Sequence, residues 1–78
     1  MKRSINFDTI REFILENDLS ENDVIVLHPN DYDTVATEFI TENNFLIYRP
    51  FEVLGTRVIE DTNGDVKRNH INVLPYSA

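Results

Sequence analysis

A mixed α/β (α+β) domain, two helices packed on one small mixed sheet in the order α-β-α-β-β-β, is what three features of the sequence predict. Apolar residues recur at helical spacing in two segments, after Asn6 and after Asn30. Between them lies Val24-Ile25-Val26-Leu27, a continuous run rich in β-branched residues. The remainder breaks into strand-like stretches punctuated by Pro50 and Asn63-Gly64.

The first helix is expected over 6–17, where Phe7, Ile10, Phe13 and Ile14 share one face and Asn6 serves as N-cap. Asp8, Glu12 and Glu16 recur every four residues and line a stripe away from the middle of that face. A polar loop around Leu19 follows. The run 24–27 has the pattern of a central strand covered on both faces, and His28-Pro29-Asn30 ends it, with Asn30 placed to cap what comes next. The second helix is expected to start near Asp31: Tyr32, Val35, Ala36, Phe39 and Ile40 follow the i, i+3, i+4, i+7, i+8 pattern, while Asp31, Glu38 and Glu42 fall on another stripe.

Phe45-Leu46-Ile47-Tyr48 reads as the next strand, reached from 24–27 by a parallel crossover through the helix. Residues 53–60 and 66–74 read as two further strands, joined as a hairpin through Asp61-Thr62-Asn63-Gly64-Asp65, with Asn-Gly supplying the tight turn.

Seventy-eight residues leave room for a single domain, 1–78, and the absence of cysteine removes disulfides as a supplement to a small core. At 41% hydrophobic and 10% aromatic the chain has the apolar material that disordered acidic tails lack. Oligomerisation is a natural supplement for so small a core, and a homodimer is its simplest form. The polar and charged residues that follow Met1-Lys2-Arg3-Ser4 argue against a signal peptide, and no apolar run approaches the ~18 residues of a membrane span. A net charge of −7 repels anionic lipid, so no membrane partner is expected and cytoplasm is the expected location.

The charge is unevenly placed. Between Asp8 and Glu42 there are ten acids (Asp8, Glu12, Glu16, Asp18, Glu21, Asp23, Asp31, Asp33, Glu38 and Glu42) against one base, Arg11. The other four acids, Glu52, Glu60, Asp61 and Asp65, face six bases: Lys2, Arg3, Arg49, Arg57, Lys67 and Arg68. Direct nucleic-acid binding is therefore not expected, because the concentrated charge has the sign of DNA itself.

Other chemistries find little support. Ser4, Ser20 and Ser77 have no glycine-framed elbow around them, which argues against a nucleophilic hydrolase. His28 and His70 with Asp23 or Asp31 match no metal-ligand spacing, and the 61–65 run has its glycine in the wrong place for a calcium loop. With Gly55 and Gly64 the only glycines, no phosphate-cradling loop exists, and no cofactor is expected. The chain reads as a non-enzyme. Its acid stripes have a bland explanation in solubility and a functional one, in which rows of carboxylates imitate phosphates and capture a basic groove.

Two resemblances follow from these residues. Val24-Ile25-Val26-Leu27-His28-Pro29-Asn30-Asp31-Tyr32, then a helix, then Val53-Leu54-Gly55-Thr56-Arg57-Val58-Ile59, resembles the peripheral domain of tailed-phage major capsid proteins over residues 24–59. The long arm and axial domain of such proteins have no room here, and that likeness implies a virion structural or assembly component. In its size, acidity, α/β character and lack of cysteine, the chain is also similar to small phage host-takeover proteins, several of which are DNA mimics. That second likeness implies an inhibitor of a basic, DNA-binding host protein such as a histone-like nucleoid protein, acting in the host cytoplasm. The partner-binding residues expected on this reading are Asp8, Glu12, Glu16, Asp31, Glu38 and Glu42. A generic acidic adaptor is the third alternative.

Overall fold

The computed structural model describes the backbone of residues 4–43 and 51–76, and the side chains of these except 41–43. The elements are α1 (Phe7–Glu16), β1 (Asp23–Leu27), α2 (Pro29–Asn43), β2 (Phe51–Val53), β3 (Thr56–Glu60) and β4 (Ile71–Pro75). Two helices and a four-stranded mixed sheet among the described residues make this the expected α+β class.

α1 starts with a reciprocal capping box. Asn6 Oδ1 accepts from the Thr9 N–H and Thr9 Oγ1 accepts from the Asn6 N–H, both at 2.9 Å. The helix ends where Asp18 adopts a left-handed φ of 53°. There the Leu19 N–H reaches the Ile14 carbonyl at 3.0 Å and the Asp18 N–H reaches that of Leu15 at 3.4 Å, the pairing of a Schellman motif. Leu19 folds back onto the core, which completes the motif's apolar contact.

α2 begins two residues before the expected start. Pro29, whose fixed φ suits a first helical position, opens it. His28 replaces Asn30 as the capping residue: its Nδ1 accepts from the Asn30 N–H at 3.1 Å and its carbonyl accepts from the Tyr32 N–H at 2.8 Å.

The sheet order is β2-β3-β1-β4. β1 runs parallel to β3 and antiparallel to β4, and β2 is antiparallel to β3. Side chains alternate across β1. Ile25 and Leu27 join Ile10, Phe13, Ile14, Tyr32, Val35 and Val58 in the main core beneath the helices. Val24 and Val26 form a second cluster with Val66 and Ile59 on the other face. Burial of all four residues 24–27 is the expected two-sided cover of a central strand.

Three expectations change. The stretch 53–60 is not one strand, because Leu54 (φ 52°) and Gly55 (φ 84°) turn the chain and pair β2 with β3 as a two-residue hairpin. Nor do the last two strands form a hairpin with each other, since β1 lies between β3 and β4. Finally, the 61–65 segment is a folded loop and not a tight turn. Asp61 Oδ1 and Oδ2 accept from the N–H groups of Asn63 at 3.0 Å and Val66 at 2.8 Å, which presses Val66 onto the second face of the sheet. The expected strand 45–48 lies outside the described residues, and the strand parallel to β1 is β3.

Candidate functional site

The six carboxylates expected to bind a partner do not form one surface. Asp8, Glu12 and Glu16 are exposed on α1, as their spacing away from Ile10, Phe13 and Ile14 requires. Asp8 lies in the first turn, where a carboxylate suits the helix dipole, and accepts from Arg11 Nη2 at 3.3 Å. Arg11 also lies 5.7 Å over the Phe7 ring, so the one cation among the ten acids is held at the start of α1. Glu12 and Glu16 continue the row toward the other end, where the last turn carries no basic residue. Asp18 and Glu21 extend the exposed acid beyond the helix.

Asp31 leaves the set. It is only 2% exposed. Its Oδ1 accepts from Arg68 Nε at 2.9 Å and its Oδ2 from the Asn69 N–H at 2.7 Å. It ties the start of α2 to the loop before β4, and helical spacing gave no sign of that loop passing over it. Glu38 is half-buried and accepts from the Phe7 N–H at 3.0 Å, so it caps α1 from α2. The Glu42 side chain lies outside the described residues.

The remaining polar groups are placed structurally. Arg57 stacks over Tyr76 at 4.9 Å and Arg68 is bound to Asp31, so these two cations face separate partners. Arg57 and Tyr76, with Glu21, Asn22, Glu52 and Gly55, line an open cleft of about 420 Å³ that the sequence pattern did not reveal, because it joins four separate segments. Asp61, 7% exposed, has its carboxyl held below the ordinary aspartate range, first by the Val66 N–H and then by the Asn63 N–H, with burial opposing. Among the described residues, no three of His, Asp and Glu come together as a metal-ligand group. No described helix is long and apolar enough to cross a membrane.

Comparison with known proteins finds no matching family model, no matching curated protein and no matching solved structure.

Proposed function

We propose that this chain is a non-enzymatic acidic binding protein whose α1 carboxylates imitate nucleic-acid phosphates and inhibit a basic, DNA-binding host protein such as a histone-like nucleoid protein. The observation that carries this reading is the exposed row of acids along α1 and just beyond it, with Arg11 the one base among the ten acids between Asp8 and Glu42. Asp8, Glu12 and Glu16 recur every four residues along one exposed side of α1. Asp18, just past the C-cap residue Asn17, sets a further carboxylate at the negative end of the helix dipole, which disfavours it by roughly 0.3–1 kcal/mol. The helix itself does not favour a carboxylate at Asp18, whereas a basic partner rewards such a row through steering and complementary potential.

The interacting surface on this reading is Asp8, Glu12, Glu16, Asp18 and Glu21. Asp31 and Glu38 serve the fold. The test is direct binding of the purified chain to a purified histone-like nucleoid protein across a salt series. Affinity falling steeply with salt supports the reading, and no binding at low salt contradicts it.

A further inference from the structure

We propose that two copies of this chain join through their β4 strands into a symmetric dimer with one continuous sheet. β4 ends the sheet order and, among the described residues, its ladder partner is β1 alone. The phase of that ladder is set by the Tyr76 N–H, which donates to the Asn22 carbonyl at 2.8 Å. Backbone groups alternate direction along an antiparallel strand, so Asn72 and Leu74 bond toward β1. The N–H groups of Ile71 and Val73, and the carbonyls of Ile71, Val73 and Pro75, therefore point outward.

Pro75 falls on an outward position, where its missing N–H costs the β1 ladder nothing. The outward groups complement a second copy of themselves. With the two strands antiparallel and fully overlapped, Val73 faces the second copy's Val73 and the two exchange N–H to carbonyl bonds. Each Ile71 N–H meets the carbonyl of the opposite Pro75. Every outward donor of the strand is then used.

Charge selects a second copy as the occupant. Residues 69–78 are the longest stretch of the chain without Asp, Glu, Lys or Arg, in a protein of net charge −7. Two such chains meet with least repulsion there. Strand edges in monomers are ordinarily guarded by charged side chains, proline or bulges. This one carries no charged side chain, with Pro75 at its end, and shows Val73 and Leu74, which are 38% and 52% exposed. The dimer rests on the β4 edge and is independent of the role proposed for α1.

Sedimentation equilibrium over a concentration series tests the proposal, with twice the 9.1 kDa chain mass expected. A monomer throughout overturns it. Val73→Lys sets two ammonium groups against each other at the two-fold axis and should weaken association at least about tenfold. The same change lowers the net negative charge, so general repulsion cannot be the cause of the loss. A folded Val73→Lys variant that dimerises as the parent does overturns the proposal. Should that variant fail to fold, Val73→Cys decides. A hydrogen-bonded antiparallel pair has Cα atoms about 5.5 Å apart, within disulfide reach, and the chain has no other cysteine. Oxidation to a linked dimer well ahead of Leu15→Cys, at a site 68% exposed, supports the interface, and equal rates overturn it.

Discussion

The Glu38 carboxylate accepts a hydrogen bond from the backbone N–H of Phe7 at 3.0 Å, across 31 residues of sequence. The first N–H groups of a helix have no partner within it, and here α2 supplies one to α1. The neighbouring Phe39 ring meets Phe7 edge-on at 5.7 Å, so the same turn of α2 provides both the polar and the apolar contact. Removing the acceptor with Glu38→Ala should cost about 1–2 kcal/mol in urea denaturation, and Glu38→Gln, which keeps a neutral oxygen, should cost less. Equal stability of all three proteins would show that the contact contributes nothing.

Asp31 binds two donors of the 61–70 loop while almost wholly buried. Asp31→Ala leaves the Asn69 N–H without its acceptor and is expected to cost about 2–4 kcal/mol. Arg68→Ala should cost less, because its side chain is 53% exposed and water already shares the charge. The double variant should be less destabilised than the sum of the two, as groups in one network are. Additive losses in thermal melts would deny the coupling.

Asp61 makes stability depend on pH. Its folded pKa is lowered by the Val66 and Asn63 N–H groups, while the unfolded chain has the ordinary value near 3.9. The unfolded state therefore binds the proton more readily in that range. The contribution is fully present above the ordinary value and is lost as pH falls through the lowered folded one. The parent protein should lose more stability between about pH 5 and pH 2 than Asp61→Asn does. Parallel pH profiles of the two in chemical denaturation would contradict this.

Helical segments were the most legible part of the fold. Ile10, Phe13, Ile14, Tyr32, Val35 and Ala36 are buried as their spacing requires, because a helix face is a local property; Phe39 is partly buried against the core, and Ile40, expected on the same face, is 38% exposed. The C-terminal half was less so. Asn63-Gly64 carries the strongest turn signal in the chain, yet the two-residue hairpin forms at Leu54-Gly55, where a leucine accepts a left-handed φ of 52°. Local chemistry ranks turns but does not say which strands pair: β1 is bonded to β3 on one side and β4 on the other, and its two apolar faces lie in separate clusters. The site divided in the same way. Asp8, Glu12 and Glu16 lie where helical spacing puts them, whereas Asp31 and Glu38 were claimed by Arg68, Asn69 and Phe7, partners at least thirty residues away in sequence.

The acid row is tested most directly by a variant that leaves these structural carboxylates untouched. Glu12→Gln, Glu16→Gln and Asp18→Asn together keep helix propensity nearly constant and remove three exposed carboxylates from the row. The triple variant should remain folded in a thermal melt. The decisive measurement is displacement of labelled duplex DNA from a purified histone-like nucleoid protein at two salt concentrations. The parent chain is predicted to displace DNA more effectively at low salt, and the triple variant to require at least about tenfold more protein. Displacement by the folded triple variant equal to that of the parent, or none by the parent itself, would contradict the account.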